Sequence, residues 1–188
     1  MTNLNLTRPR TFRQWLEIYR LYRASFPRPE RKPFSIIVKA WHRGTTDIWC
    51  FEGQGEFLGF ATTMNGRDLI MLDYFAVERK HRGEGIGTAA LKQVLAQCPD
   101  KGVFLEIESA YEPGADQEKR QKRKNFYLHC GLKPLNVMAN VFGVPMELLG
   151  VNCALDFEKY HSFYRDNYRK MALKHITRLP QPHEKQEA

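Results

Sequence analysis

The sequence predicts a mixed α/β fold of the α+β kind. A central mixed β-sheet is flanked by helices, with a helical extension at the C-terminal end. Three observations carry this. Segments of helical period and segments of strand character follow one another without the regular βαβ rhythm of a doubly wound sheet. One segment, "DLIMLDYFAV" (68–77), is almost wholly apolar, as a central strand covered on both faces must be. A glycine-rich turn, a helix and a second strand, "GVFLEIES" (102–109), then complete one βαβ unit, whose strands are expected parallel with a right-handed crossover. The 188 residues suit one domain, 1–188, with a core of about 11–150, a C-terminal helix of about 156–173 and a disordered tail of about 179–188.

Taken in order, "TFRQWLEIYRLYRASF" opens with Thr11 and Gln14 at capping-box spacing, and Phe12, Trp15, Leu16, Tyr19 and Tyr22 recur at helical period. "FPRPERKP" (26–33) holds three prolines and reads as a loop, and "FSIIVKAWHRG" as a short helix ending near Gly44. "DIWCFEG" and "EFLGFATTM" are strands around the turn "GQG" (53–55). A helix from about Gly85 to Gln97 follows the apolar strand. Another runs from about Asp116 to His129, with Gly131 as its C′ residue. Two or three short strands occupy "LKPLNVMANVFGVPMELLGVNCAL". Asp156 then caps a helix with Phe157, Tyr160, Tyr164, Tyr168 and Met171 on one face, read first as core and otherwise as an acceptor-site extension or homodimer contact.

Composition narrows the function. No apolar h-region opens the chain and no run of about 18–20 apolar residues exists, so neither a signal peptide nor a membrane partner is expected. Cys50, Cys98, Cys130 and Cys153 are scattered, which predicts reduced thiols in a cytoplasmic protein. The six histidines show no HxxxH or HxE arrangement, so no metal is expected. The net charge of +8 is concentrated: residues 1–43 hold ten Lys/Arg against two Asp/Glu, whereas residues 44–154 are slightly acidic. Such a segment is either a solvated face or a surface for phosphates or an acidic partner.

"VERKHRGEGIGTAAL" (77–91) carries the chemistry. A strand running into a glycine-rich turn and a helix N-terminus offers outward N–H groups and a favourable dipole to an anion. A Walker loop would need Gly-Lys-Ser/Thr, but Gly87 is followed by Thr88 and Ala89. A dinucleotide fingerprint would need GxGxxG and a second mononucleotide half. Instead "RGEGIG" resembles the acetyl-CoA motif R/Q-x-x-G-x-G/A of the GNAT (GCN5-related) N-acetyltransferases, with Arg82, Gly85 and Gly87 in the motif positions. "FYLHCGL" (126–132) resembles the family's LYexxGF segment, with Leu132 in place of Phe, and "FLEIES" its LEV strand. The concordant elements span about residues 56–135.

The resemblance implies a GNAT fold and acetyl transfer from acetyl-CoA to a primary amine in a ternary complex. It places Arg82, Gly83, Glu84, Gly85, Ile86, Gly87 and Thr88 at the pyrophosphate, and Phe75, Ala76 and Val77 along the pantetheine. The basic run "EKRQKRK" reads first as a solvated helix face and otherwise as a contact with the CoA phosphates, for which Asn125, and Lys124 beside it, are the candidates. Tyr127 matches the family's general-acid tyrosine. Glu106 matches a position used as base in some members, and it stands alone in an apolar strand, where an unpaired carboxylate is costly to bury. Asp73 follows the same logic and ranks second, and each acid alone also fits a hydrogen-bonded structural network. In this family the first two helices and their loop roof the acceptor, which makes Phe26, Arg28, Glu30 and Arg31 acceptor candidates, with Glu108 on the later strand. The acceptor is a small-molecule or macromolecular amine, and the basic roof favours one bearing a carboxylate or phosphate. Two other classes remain: a non-catalytic acyl-CoA-binding sensor or interaction domain, and a basic nucleic-acid-binding module. The resemblance does not lead one to expect a nucleic-acid partner.

Overall fold

The structure is a computed structural model that describes residues 4–168 and 173–181. The chain divides into two compact units, one formed by residues up to Asn65 together with Met71–Pro99, the other by Gly66–Ile70 and residues from Asp100 onward.

The first unit contains β1 (Asn5–Thr7), α1 (Phe12–Ser25), α2 (Phe34–His42), β2 (Thr46–Gly53), β3 (Glu56–Asn65), most of β4 (Leu69–Val77) and α3 (Ile86–Ala96). Its strands lie in the order β1-β2-β3-β4, with β1 and β3 both antiparallel to β2. The capping box is formed. Thr11 Oγ1 accepts from the Gln14 N–H, and Gln14 Oε1 accepts from the backbone N–H of Thr11. The β2–β3 hairpin turns at Gln54 and Gly55, whose φ values of 52° and 77° fit the two left-handed positions of a type I′ turn. Ile18, Leu21 and Tyr22 of α1 and Ile37 of α2 pack onto Ile48, Phe60 and Tyr74 of the sheet. Gly59 of β3 lets that strand close on β4, since a Cβ there would lie 2.3 Å from the Ala76 carbonyl oxygen.

The second unit contains β5 (Gly102–Glu108), α4 (Gln117–His129), β6 (Lys133–Val141), β7 (Val144–Val151), α5 (Phe157–Asn167) and β8 (Ile176–Leu179). Its strands lie in the order β5-β7-β6-β8, antiparallel throughout. α4 ends in a Schellman motif: Leu132 N–H donates to the Tyr127 carbonyl, Gly131 N–H donates to Leu128, and Gly131 takes φ 95°. The motif pins the "YLHCGL" segment. α5 is capped by the Asp156 side chain, which accepts from the Lys159 N–H, and packs Tyr160 and Phe163 against Phe104.

The mixed α/β architecture is as predicted, with three corrections. β1 and β8 are strands that the sequence pattern does not reveal. Each is short and gains its hydrogen bonds at a sheet edge, β1 on β2 and β8 on β6. Leu179, expected to begin a disordered tail, ends β8, and residues 182–188 of that tail lie outside the described residues. α5 stops at Asn167 with Tyr168 as its C-cap, short of 173, and Met171 of its predicted face lies outside the described residues.

Candidate active site

β4 ends at Val77, and a single 3₁₀ turn, Arg79–His81, leads to the glycines. Gly83 and Gly85 adopt φ values of 88° and 78°, and nothing lies within 4 Å of where a Cβ would stand on either. Their requirement is therefore conformational, because L-residues pay to enter this region, and the surrounding space is open to a ligand. Gly85 is the N-cap of α3 and has no side chain with which to cap the first-turn N–H groups of Ile86, Gly87 and Thr88. An α-helix that begins this way presents its positive end to an anion, so the loop fits the pyrophosphate of acetyl-CoA. Arg82 is committed to the loop itself. Its Nε donates to the Val77 carbonyl at 3.0 Å and so ties the loop to the strand end. Glu84 lies beside His81, which also faces Glu56, and Glu56 is paired with Lys80. Phe75 is half-buried, with its ring 5.4 Å from Phe51, while Ala76 and Val77 are buried.

The proline-containing loop 26–33 is fastened to β4. Both Asp73 oxygens lie 2.7 Å from Lys32 Nζ. Tyr74 Oη donates to the Glu30 carbonyl and accepts from the Lys32 N–H, and Tyr22 Oη donates to the Lys32 carbonyl. Burial raises the pKa of both phenols, so they remain protonated donors. Phe26 packs edge-on to Tyr74 at 4.8 Å, Arg28 is exposed, and Arg31 is half-buried beside the end of α1. Asp73 thus lies beside the predicted acceptor residues, with both its oxygens engaged by Lys32.

Glu106 accepts two hydrogen bonds at one oxygen, from Tyr160 at 2.6 Å and Tyr164 at 2.7 Å. Both phenols are raised far above the ordinary tyrosine pKa, first by burial and then by the adjacent carboxylate. They therefore donate and hold Oε1 in place. Glu108 is half-buried at the end of the same strand.

Tyr127 of α4 is buried, and burial pushes its pKa up to about 12, with Arg123 opposing and Cys130 adding slightly. Asn125 is exposed and its Oδ1 accepts from Gln121 of the same helix. Lys124, expected on a solvated face, instead points inward. It is 8% exposed, pairs with Glu147 of β7, and sits 4.2 Å from the centre of the Tyr111 ring. Glu147 Oε1 also accepts from the Ala110 N–H at 2.7 Å. Gln117 and Arg120 donate to the Ala110 and Glu112 carbonyls, so one face of α4 holds the segment after β5.

The residues that sequence reasoning passed over are Lys32, Tyr22 and Tyr74 in the first unit, and Glu147, Tyr111, Tyr160 and Tyr164 in the second. Glu147 carried the signal used for Asp73 and Glu106, a single acid within an apolar strand. Tyr160 and Tyr164 stand four residues apart, and their hydroxyls, not only their rings, find partners, since both donate to Glu106. Among the described residues no group of three His, Cys, Asp or Glu side chains is close enough to hold a metal ion, and no helix is long and apolar enough to cross a membrane.

Comparison with known proteins bears on the fold and the family. Among solved structures, the chain is similar to a protein of Bacteroides thetaiotaomicron described as an acetyltransferase of the GNAT family, at 21% identity and TM-score 0.69, over 86% of this chain and 94% of that one. It is similar to the dodecameric spermidine N-acetyltransferase of Vibrio cholerae at 12% identity and TM-score 0.60, over 79% and 92%. It is also similar to an Arabidopsis thaliana protein solved with the bisubstrate analogue CoA-Ac-MVNAL, at 15% identity and TM-score 0.61, over 80% and 99%. At these identities the likeness establishes the fold. No curated protein matches the chain. The acetyltransferase (GNAT) family profile matches residues 15–131, across both units, and members of that family use acetyl-CoA as co-substrate. The chain therefore belongs to the GNAT acetyltransferase family.

Proposed function

We propose that this protein is a cytoplasmic N-acetyltransferase that moves the acetyl group of acetyl-CoA to a primary amine by direct attack in a ternary complex. The observation that carries the reading is the loop Arg82–Thr88. Two left-handed glycines with open space around them lead into a helix whose first turn no side chain of Gly85 can cap. In this reading the N–H groups of that loop hold the pyrophosphate, Arg82 fixes the loop by its bond to Val77, and Asn125 meets the CoA phosphates. The backbone of Phe75, Ala76 and Val77 pairs with the pantetheine.

Acetyl-CoA supplies an activated thioester. The amine nitrogen attacks its carbonyl carbon, the C–N bond forms and the C–S bond breaks. Glu106, oriented by Tyr160 and Tyr164, takes the proton that the amine must lose, directly or through water. Asp73 ranks second as base because Lys32 already occupies it. Tyr127 gives a proton to the departing thiolate. With a pKa raised to about 12 by burial it stays protonated at neutral pH and is available as the donor to the departing sulfur; because a thiol is the stronger acid, the transfer is uphill and is completed as the phenol is reprotonated. Phe26, Arg28, Glu30, Arg31 and Glu108 are assigned to the acceptor.

The test is acetyl-CoA binding by calorimetry, followed by turnover on a panel of amines. Wild type is expected to bind, Gly85→Glu not to bind, and Tyr127→Phe to bind normally while losing turnover by about 10²–10⁴-fold. Absence of acetyl-CoA binding by the folded wild type overturns the reading.

A further inference from the structure

The concentration of positive charge in residues 1–43 takes a definite form on the surface. In the described part of that segment Arg8, Arg10, Arg13, Arg20, Arg23, Arg28, Lys39 and Arg43 are all exposed, and neither acid is: Glu17 and Glu30 are both half-buried. Arg13 pairs with Glu17 and Arg8 with Asp47. Arg10, Arg20, Arg28, Lys39 and Arg43 form no ion pair among the described residues. Three of the five exposed large hydrophobics among the described residues, Phe12 at 83%, Tyr19 and Ile36, lie in the same segment. On α1 the helical period aligns Phe12, Leu16, Tyr19 and Arg23 along one stripe, with Arg13 and Arg20 beside it. The Arg23 guanidinium lies 5.7 Å from the Tyr19 ring centre. At the N-terminal end of the stripe a hollow of about 510 Å³ opens, bounded by Arg8, Arg10, Thr11, Gln14 and Trp49. The acid on its wall, Glu52, is already engaged by the side chains of Thr7 and Gln14.

We propose that this face of α1 is a docking surface for single-stranded nucleic acid, separate from the acetyl-transfer chemistry. The three exposed cations on α1, Arg13, Arg20 and Arg23, are all arginines, as are seven of the eight in the segment, and their planar fork suits phosphate oxygens. Exposed rings among them offer the sequence-tolerant stacking that unpaired bases seek. An acidic polypeptide would use the charges and leave the rings without a role. A membrane surface would require a continuous apolar face, whereas the apolar side chains here stand singly among cations.

The test uses the full-length protein and a fluorescein-labelled 20-nucleotide oligouridylate, read by anisotropy from 50 to 200 mM KCl. Engagement of about five phosphates predicts a log–log salt slope near −3.5, about a hundredfold loss of affinity across that range. Arg13→Glu/Arg20→Glu/Arg23→Glu is expected to weaken binding at least tenfold at 50 mM KCl. Replacing the same three by lysine retains most of it, and Phe12→Ala/Tyr19→Ala weakens it with little change in slope. Far-UV circular dichroism establishes that each variant is folded. The proposal is overturned if wild type gives no saturable signal at 50 mM KCl, or if the folded glutamate variant binds as well as wild type. It is equally overturned if polyglutamate of the same length competes on equal terms, or if the protein sediments with phosphatidylserine vesicles and ignores the oligonucleotide.

Discussion

Removing the charge of Lys124 tests how the second unit is held together. Lys124→Met keeps the length and apolar stem of the side chain and deletes the ammonium. Glu147, only 5% exposed, is left with the Ala110 N–H as its one remaining hydrogen-bond donor among the described residues. Stranding one member of a buried pair typically costs 3–5 kcal/mol, and the surviving Ala110 bond places this case near the lower end, at about 3 kcal/mol. For a chain of 188 residues, unfolding entropy of about 2.1 cal/mol/K per residue converts that to a Tm fall of about 8 °C. The companion variant Lys124→Met/Glu147→Gln also removes the stranded charge, while its carboxamide oxygen still accepts from Ala110. Its expected cost is within about 1 kcal/mol of wild type. Urea unfolding at neutral pH gives both values, with m unchanged. The reasoning is refuted if Lys124→Met costs less than about 1 kcal/mol, since the ammonium would then have reached water. It is refuted equally if the double variant is no more stable than the single one.

Three further outcomes are expected. Tyr160→Phe and Tyr164→Phe each remove a phenol donor from the same Glu106 oxygen, so each is expected to cost about 1.5–3 kcal/mol in urea unfolding; strict additivity in the double variant would argue against a shared acceptor. Alkaline titration followed by tyrosinate absorbance and circular dichroism should show stability retained below pH 10 and lost above it. The folded pKa values of Tyr74, Tyr127, Tyr160 and Tyr164 lie above the unfolded value of about 10, so the unfolded chain ionises first; four such groups remove about 5 kcal/mol by pH 11, and ionisation of these phenols without unfolding would count against their burial. Gly85→Ala, in open space but at φ 78°, is expected to cost about 1 kcal/mol, whereas Gly59→Ala, whose new Cβ meets backbone at 2.3 Å, should cost several times more; thermal melts that reverse this order would refute the assignment.

Much of the fold was legible because its signals are local. Thr11 and Gln14 announce a capping box, Asp156 announces the start of α5, and Gly131 marks a Schellman close, each within four residues of the feature it controls. β1 and β8 were not legible: an edge strand of three or four residues owes its existence to its partner, and β1 has no inward apolar alternation of its own. The glycine-rich loop could be found from the sequence, and the structure shows that Gly83 and Gly85 answer to backbone conformation. The lone acids in apolar strands were correctly seen as unusual. What could not be read was the identity of their partners, because Lys32 lies 41 residues from Asp73, and Tyr160 and Tyr164 lie 54 and 58 residues from Glu106. Lys124 misled for a related reason. In a run of seven residues with five cations, helical period alone does not say which cation turns inward, and the answer lies in Glu147, 23 positions away.

The anchoring of loop 26–33 bears on how quickly an acceptor can be recognised. Pro27 and Pro33 hold φ at −69° and −53°, the Tyr74 phenol and the Lys32–Asp73 ion pair bind the loop to β4, and the Tyr22 phenol binds it to α1. The entropy of ordering that segment is thus spent during folding, before any acceptor arrives. On the proposed assignment of the acceptor to this loop, binding would proceed without a closing step to wait for, so association would be governed by encounter and by charge, and discrimination between amines would fall to their rates of departure.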